Sequence, residues 1–271
     1  MLNTSDHFDA IKLLIKQKKL IPFVGAGLSM NLGLPSFAQL IDKIAEELEY
    51  DAAVFKLNGN YLQLAEYYVA IKGTVGPLRS ILDRSFNPSD ELIKSSMAHT
   101  ALAQMNLPLI YTTNYDDIIE KSFELLNKPV YTIANIDDIS SAPDNATQVV
   151  KFHGTFSDDA SLVLTESNYF ERLSFESALD IKLRADMLGK CLLFIGYSLD
   201  DVNIRYMLYK LFKLRQQVKN SRTRGLPSAY LTTFGSHEIQ KTLLAQWNVS
   251  IIELDPLNKK ESLENFLKEF L

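Results

Sequence analysis

Short runs of apolar residues alternate with segments of helical periodicity along most of the chain, and this alternation constrains the fold more than any other feature. A parallel strand that is covered on both faces reads as a short continuous apolar run. Such runs predict strands at 20–24, 107–113, 130–133, 148–152, 191–195, 229–233 and 249–253. Helical segments fall between several of them. The pattern predicts an α/β fold, with a mostly parallel sheet and helices on both of its faces.

One long stretch interrupts the alternation. From about residue 52 to 105 the periodicity is helical and shows no convincing strand, which predicts a helical insertion between two strands of the sheet. Residues 6–19 and 36–49 also predict helices, the second with Ser36 as its N-cap. A chain of 271 residues without a linker-like segment is near the upper size for one domain, so we predict a single domain over residues 1–271.

Composition excludes several classes of protein. The net charge of −5 gives no reason to expect direct binding of nucleic acid. Cys191 is the only cysteine, so an intrachain disulfide and a four-cysteine metal site are both impossible, and no metal is predicted. The sequence has no signal-peptide core and no run of about 18 apolar residues, so we predict a cytoplasmic protein that does not span a membrane.

A glycine turn follows the first predicted strand as Gly25-Ala26-Gly27. Glycine allows a sharp turn and a close approach of the backbone to a pyrophosphate, whose charge the amides can face. An ordinary tight turn remains the alternative. A dehydrogenase fingerprint would continue at once into a helix and reach an acidic strand end about 20 residues later. Here a long loop is predicted at 28–35 and Glu46 and Glu47 lie in a helical segment, which argues against hydride chemistry.

Polar residues follow the next strands at the same relative position. Asn114 and Asp116 come after strand 107–113, where an amide suits ribose hydroxyls or an ordered water, or either residue caps the next helix. His153, followed by glycine, ends strand 148–152, as a general base near neutral pH or as a structural histidine. The carboxyl ends of parallel strands meet at one edge of a sheet, so these residues are predicted to converge.

A last strand end carries a second glycine. Strand 191–195 is followed by Gly196, Tyr197 and Ser198, and Asp201 comes three residues after Ser198. Gly196 again permits close backbone approach. Ser198 and Asp201 have helix capping as an alternative role.

The ordered set of strand-end motifs resembles the sirtuin family, which binds NAD in a Rossmann-like sheet with a helical insertion. Sirtuins show Gly-Ala-Gly-x-Ser, Gln-Asn-x-Asp, His-Gly and Gly-Thr-Ser in this order. The matching segments here are Gly25-Ala26-Gly27-Leu28-Ser29, Thr113-Asn114-Tyr115-Asp116, His153-Gly154 and Gly196-Tyr197-Ser198. The resemblance covers residues 21 to about 203.

Departures from the sirtuin pattern point to one branch of the family. The zinc ribbon of deacetylating sirtuins cannot form with Cys191 alone, and their Pro-Asp-Phe-Arg is replaced by Pro35-Ser36-Phe37-Ala38. The variant motifs, with the segment 164–169, resemble the prokaryotic sirtuin-like branch. Its enzymes hydrolyse NAD, and many act in antiphage defence by depleting NAD. The resemblance therefore implies an NAD+ glycohydrolase with NAD as substrate and no metal.

The resemblance also implies roles for individual residues. Asn114 and His153 would be catalytic, with Asn114 holding ribose hydroxyls or water and His153 accepting a proton. The other residues that it assigns to NAD binding are Gly25, Ala26, Gly27, Ser29, Pro35, Thr113, Asp116, Gly196, Tyr197, Ser198 and Asp201.

Two other functions and several partners stay open at this point. A protein deacylase and a non-catalytic NAD or ADP-ribose sensor are the alternatives, and NADP or an ADP-ribose-derived signal could occupy the same loop. A free NAD hydrolase would harm its own cell, and from the 271 residues we expect no appended sensor domain. We therefore expect control by a regulatory protein partner, by a homo-oligomer, or by both. The basic residues of segment 210–224 suggest a solvated surface or docking of an acidic partner or nucleic acid.

Overall fold

A seven-stranded, entirely parallel sheet forms the centre of the molecule. The computed structural model describes residues 4–174, 176–198, 202–216, 227–236 and 238–271. The strand order is β3-β4-β2-β1-β5-β6-β7. The strands are β1 (Leu20–Val24), β2 (Leu109–Thr112), β3 (Val130–Ile133), β4 (Thr147–Lys151), β5 (Cys191–Ile195), β6 (Ala229–Thr233) and β7 (Val249–Glu253). The predicted Rossmann-like α/β fold is confirmed.

Helices lie before, between and after the strands. In chain order they are α1 (Thr4–Lys16), α2 (Ala26–Met30), α3 (Phe37–Glu47), α4 (Ala52–Leu57), α5 (Tyr61–Lys72), α6 (Gly76–Ser85), α7 (Asp90–Ser95), α8 (Met97–Gln104), α9 (Ile118–Glu124), α10 (Ile136–Ser141), α11 (Glu166–Leu173), α12 (Ala178–Asp186), α13 (Val202–Gln216), α14 (Glu238–Gln246) and α15 (Lys259–Lys268). Within the described parts of the chain, none of these helices combines the length and apolar character that a membrane crossing requires.

The sheet is buried on both faces, because residues of one strand alternate between two apolar clusters. Along β1, Leu20 and Val24 belong to one cluster, and Ile21 and Phe23 belong to the other. All five residues of β1 are buried. The continuous apolar runs of the sequence therefore predicted these strands well. Two strands differ from their predicted bounds: β4 begins and ends one residue before the predicted 148–152, and β2 is shorter than the predicted 107–113. At its start, Pro108 has no N–H to donate to a neighbouring strand.

The segment 52–105 is helical, as predicted, and holds α4 to α8. Its first three helices pack with α3 and with Leu162 and Leu164 around a separate apolar cluster. In contrast, α8 packs against α15 and contributes to a cluster at the sheet. Whether the segment is an insertion in one domain of residues 1–271 stays a prediction.

The glycine turn leads directly into a short helix, and the predicted loop at 28–35 is wrong in its first residues. The five-residue α2 begins at Ala26, because Gly25 is extended and its carbonyl accepts the amide of Leu28 at 3.1 Å. The side chain of Leu28 is fully buried in the apolar cluster of one sheet face. Ser36 is the N-cap of α3, as predicted, in a capping box with Gln39.

Strand order places a switch point between β1 and β5. The chain leaves β1 toward β2 on one side, whereas it leaves β5 toward β6 on the other side. In open α/β sheets, ligands bind outside the carboxyl ends of the strands at such a point. The predicted site residues follow the carboxyl ends of β1, β2, β4 and β5, so the topology gathers them at this edge.

Candidate functional site

Main-chain contacts join the turns that follow β1 and β5. The amide of Gly25 donates to the carbonyl of Ile195 at 2.8 Å, and the amide of Gly27 donates to the carbonyl of Gly196 at 2.9 Å. A Cβ atom on Gly27 would lie 2.7 Å from Cα of Gly196. Gly196 has φ +77°, and a Cβ there would lie 2.7 Å from the amide nitrogen of Leu28. We refer to residues 25–29 and 196–198 as the glycine side.

This contact gives the glycines a role that does not depend on a ligand. Sequence reasoning explained Gly25 and Gly27 by the approach of a pyrophosphate, and Gly196 by a close approach of the backbone to the ligand. The structure adds a steric reason, since a side chain at any of these positions would meet the opposite turn. The Gly27 amide also has an internal acceptor already, so it is a less available donor to an anion than the sequence suggested.

A hydrogen-bonded chain crosses from the turn after β2 to the glycine side. Nδ2 of Asn114 donates to Oγ of Ser29 at 3.0 Å and, more weakly, to the carbonyl of Gly25 at 3.4 Å. Oγ of Ser29 in turn donates to Oδ2 of Asp116 at 3.4 Å. The backbone of Asn114 is fixed by its amide, which donates to Oγ1 of Thr112 at 3.0 Å. The structure thus brings together three of the predicted residues.

Asp116 has a structural contact as well as a contact within the site. Its Oδ1 accepts the amide of Ile118, the first residue of α9, at 3.2 Å, although the N-cap of that helix is Asp117. Burial raises the pKa of Asp116 to about 6, and the nearby ammonium of Lys151 opposes this increase. The carboxyl group therefore changes its charge close to physiological pH.

A buried ion pair lies beside this carboxyl group. The Lys151 ammonium lies 3.0 Å from Oε1 of Glu120 and also donates to the main-chain carbonyl of Asp116. The side chains of Lys151 and Glu120 are 1% and 7% exposed, which is rare for charged residues and requires pairing.

His153 lies one strand away from Asn114. Thr112 and Lys151 are paired in the parallel register of β2 and β4, and each of the two site residues comes two positions later. Nδ1 of His153 lies 3.5 Å from the hydroxyl of Tyr169, and the two rings meet edge to face at 5.1 Å. Its main-chain carbonyl accepts the amide of Val163 at 2.9 Å, which fixes the turn.

The protonation of His153 differs from the sequence-based expectation. Burial, together with the positive charge of Arg172, lowers the pKa of His153 to about 3. The imidazole is therefore neutral at physiological pH and can accept a hydrogen bond, but it is a weaker base than a histidine near neutrality.

Arg172 is a site neighbour that the sequence reasoning missed. Its guanidinium carbon lies 4.1 Å from the ring centroid of Phe152, and Nη2 lies 3.2 Å from Oδ1 of Asp180. Asp180 is fully buried. Tyr169 and Arg172 lie three residues apart on α11, so the helical spacing could have placed both on one face.

Lys151 and Glu120 were also missed, although Lys151 gave a signal. Lys151 ends β4 directly after two valines and directly before Phe152, which predicts a buried lysine that needs a partner. We refer to residues 113–120 and 151–154, together with Arg172, as the charged side.

Tyr197 connects the two sides. Its hydroxyl donates to the carbonyl of Val24 at 2.9 Å and lies 2.9 Å from Oγ1 of Thr113. A Cβ atom on Gly25 would lie 2.7 Å from the Tyr197 ring. Two more predicted residues, Thr113 and Tyr197, are therefore in contact.

The remaining predicted residues are less closely connected to this network. Ala26 is the first residue of α2, Pro35 precedes the N-cap of α3, and Ser198 is exposed. Asp201 lies outside the described residues. The described residues contain no group of three or more His, Cys, Asp or Glu side chains placed to hold a metal ion.

A cavity of about 310 Å³ lies away from the strand ends, between α13 and α14. Arg205, Tyr209 and Trp247 are among its lining residues, and none of the predicted site residues lines it. We place the candidate site at the strand ends, because the polar groups converge there at the switch point of the sheet.

A parallel sheet with a glycine turn and converging polar groups at its switch point is typical of nucleotide-binding α/β domains. Residues 108–252 match the model of the SIR2-like domain family. This chain belongs to that family, and the resemblance to sirtuin-like proteins is confirmed.

Curated relatives extend the comparison. The NAD(+) hydrolase ThsA of Enterococcus faecium is 34% identical over 270 residues, which cover 92% of this chain and 55% of the relative. The protein of the same name from Bacillus cereus (strain MSX-D12) is 33% identical over 192 residues, or 70% of this chain and 39% of the relative. Defense-associated sirtuin 2 of Bacillus subtilis is 27% identical over 207 residues, or 73% of this chain and 20% of the relative. The chain thus spans between about one fifth and about half of the length of these relatives.

Proposed function

We propose that this protein hydrolyses NAD at the bond between nicotinamide and ribose, and that it acts in antiphage defence. The observation that carries the proposal is the link from Asn114 through Ser29 to Asp116, at the switch point of the sheet and one strand from His153. Relatives with the printed name NAD(+) hydrolase support the choice of substrate.

The proposed reaction adds water to C1′ of the ribose while the bond from C1′ to the ring nitrogen breaks. Nicotinamide leaves as a neutral molecule from a cationic group, ADP-ribose forms, and the proton of the water passes to solvent. Because the leaving group needs no protonation, the protein's task is to orient the ribose and the water and to stabilise positive charge.

Asn114 would orient the ribose or the attacking water. Its Nδ2 faces the glycine side, so the planar amide directs its carbonyl oxygen away from Ser29. That oxygen would accept a hydrogen bond from a ribose hydroxyl or from water. His153, which is neutral at physiological pH, would accept a hydrogen bond or a proton from a ribose hydroxyl or water.

The glycine side would hold the rest of the dinucleotide. Main-chain amides of Ala26 and Ser29 would face the pyrophosphate, with Gly27 contributing only if its bond to Gly196 opens. Gly196 and Ser198 would face the adenosine. Pro35, Thr113, Tyr197 and Asp201 remain proposed contacts from the family resemblance.

Control by a regulatory protein, by a homo-oligomer, or by both belongs to the proposal, since unregulated NAD loss would harm the cell. Native mass measurements of the protein with and without NAD would test this. A fully active monomer with no partner would contradict it.

Release of nicotinamide, followed by chromatography after mixing the protein with NAD, tests the proposed activity. We expect Asn114→Ala and His153→Ala to lower turnover, His153→Ala by on the order of 10²-fold, the lower end for a general base, because its pKa is depressed. Asn145→Ala, at an exposed turn, is the matched control and should keep wild-type turnover.

The same experiment separates the alternatives. NAD binding without nicotinamide release would indicate a sensor, and release that depends on an added acetylated peptide would indicate a deacylase. Unchanged turnover in either site variant would exclude the role assigned to that residue.

A further inference from the structure

We propose that Lys151, paired with Glu120, is a positioning residue that fixes the turn carrying Asn114 and Asp116. The inference rests on the proposed function, since it concerns how residues of the proposed NAD site are positioned. No step of the reaction involves Lys151 directly, because its buried ammonium contacts Glu120 and the main-chain carbonyl of Asp116.

The first argument is burial. Lys151 and Glu120 are both buried, whereas the other buried residues of β4 are the apolar Val149 and Val150. Replacing a buried ion pair by apolar residues is often neutral or stabilising, so the presence of the pair is not explained by stability alone. A role at the adjacent site accounts for it.

The contacts of the ammonium give the second argument. Nζ of Lys151 lies 3.0 Å and 3.2 Å from the two carboxylate oxygens of Glu120, and it donates to the main-chain carbonyl of Asp116. Oγ1 of Thr132 donates to Oε1 of Glu120 at 3.3 Å, so the carboxylate is held from β3 as well. The ammonium therefore connects β4, through Lys151, with α9, through Glu120, and with the turn that follows β2, through Asp116.

The third argument is the direction of the hydrogen bonds that reach Asn114. Ser29 has a single hydroxyl proton, which goes to Asp116 when that carboxyl group is ionised. The oxygen of Ser29 is then left to accept the amide of Asn114. A protonated Asp116 can instead donate to Ser29, and the hydroxyl proton of Ser29 can then turn toward Asn114 and block the donation from its amide. Ionised Asp116 thus orients Asn114.

The charges around Asp116 give opposite predictions for two substitutions. Lys151 from β4 lowers the pKa of Asp116, whereas Glu120 from α9 and the adjacent Asp117 raise it. Asp117 is paired with Lys121 at 3.2 Å, and the group that faces Asp116 from α2 is the uncharged Ser29. Loss of the lysine charge must raise the pKa of Asp116, and loss of the Glu120 charge must lower it.

The experiment compares Lys151→Met and Glu120→Gln in the full chain, with NAD turnover measured between pH 5 and 8. Activity should fall as the pH drops through about 6, the pKa of Asp116. We expect this acid limb to move to higher pH in Lys151→Met and to lower pH in Glu120→Gln. At pH 7 the Lys151 variant should lose on the order of 10- to 100-fold in kcat with a smaller change in KM, because misplacement of a catalytic group mainly affects the chemical step.

Lys121→Met is the matched control, since it removes the same charge from the partly exposed pair with Asp117. Its acid limb and kcat should stay at the wild-type values. If Lys151→Met does not fold, the shift of the acid limb to lower pH in Glu120→Gln tests the inference by itself. Limbs that do not move, or that move in the same direction, would overturn the inference.

A second measurement separates this inference from the proposed function. Carbon-13 NMR of the Asp116 carboxyl group follows its titration without turnover. Opposite shifts in the two variants, in a protein that releases no nicotinamide, would support the positioning of Asp116 and reject NAD hydrolysis. Nicotinamide release with an Asp116 titration that is the same in both variants would reject the positioning role and retain the hydrolase.

Discussion

The two sides of the candidate site are held together by different physics. On the glycine side, Gly27 and Gly196 meet through main-chain atoms, with no charged group in the contact. On the charged side, Lys151 and Glu120 form a buried ion pair next to Asp116. The contacts of the glycine side depend on the absence of side chains. Those of the charged side depend on buried charges that water does not screen.

The two sides should therefore respond differently to pH. A change on the glycine side should alter packing equally at every pH. The charged side contains a carboxyl group with a pKa of about 6 and an imidazole with a pKa of about 3, so its properties depend on pH. The proposed reaction would use the first side to hold NAD and the second to act on it. Three substitutions test the comparison.

The largest effect is expected for Arg172→Met on the charged side. The change leaves the fully buried carboxylate of Asp180 without its cation, at the cost of about 3–5 kcal/mol in the free energy of unfolding. Methionine still packs on the ring of Phe152, so loss of charge dominates. Urea denaturation measures the effect, and an NMR titration should show the pKa of His153 rising toward its usual value.

The double variant Arg172→Met/Asp180→Asn is the control for this prediction. It removes both charges, so most of the lost stability should return. The Arg172 and Asp180 groups lie 3.2 Å apart but are poorly aligned for a hydrogen bond, which makes their charges the main component of the interaction. A double variant as unstable as Arg172→Met would show that packing, and not charge, holds this part of the charged side.

A smaller effect is expected for Gly196→Ala on the glycine side, and Gly189→Ala is its matched control. The two glycines have φ +77° and +78°, but a Cβ on Gly189 would meet no atom within 4 Å. Both variants lose about 1–2 kcal/mol from left-handed backbone strain. Gly196→Ala should lose a further ~1–3 kcal/mol from the clash with Leu28 and Gly25.

Urea denaturation at pH 6 and pH 8 would measure this difference. The extra loss should be the same at both values, since no titrating group takes part in the contact. An equal loss in the two variants, or an extra loss that depends on pH, would remove the distinction between the two sides.

The sequence predicted the glycine side and the strands more completely than the charged side. Each strand is a local apolar run, and the glycine turn is a local motif, so both can be recognised without knowing what packs against them. Five strands, including β1 and β5, have the predicted bounds. The sequence could not show that Gly27 and Gly196 touch each other, because 169 positions of chain separate them.

The charged side depends on partners that are distant in sequence. Lys151 pairs with Glu120, 31 positions earlier, and the charge on Arg172 acts on His153 from α11. The depressed pKa of His153 is a consequence of that environment, so a histidine at a strand end could not disclose it. The position of Lys151, between Val150 and Phe152, was the local signal of a buried pair.

The smallest effect is expected for Tyr197→Phe, which tests the connection between the two sides. The Tyr197 hydroxyl donates its only proton to the carbonyl of Val24, so Thr113 must be the donor in its bond to Tyr197. Phenylalanine keeps the ring that lies against Gly25 and loses both hydrogen bonds. The carbonyl of Val24 still accepts from the amide of Thr113 at 3.1 Å and from Oγ1 of Thr112 at 2.9 Å, so no buried acceptor is left unpaired. We therefore expect a loss of only about 0.5–1.5 kcal/mol in the free energy of unfolding, measured by urea denaturation.

In a double-mutant cycle with Thr113→Val, the double variant should lose less stability than the sum of the two single variants, because each change removes the same hydrogen bond. Additive losses would mean that the Tyr197 hydroxyl does not couple the two sides, and that the hydrogen bonds of Asn114 to Ser29 and Gly25 connect them without it.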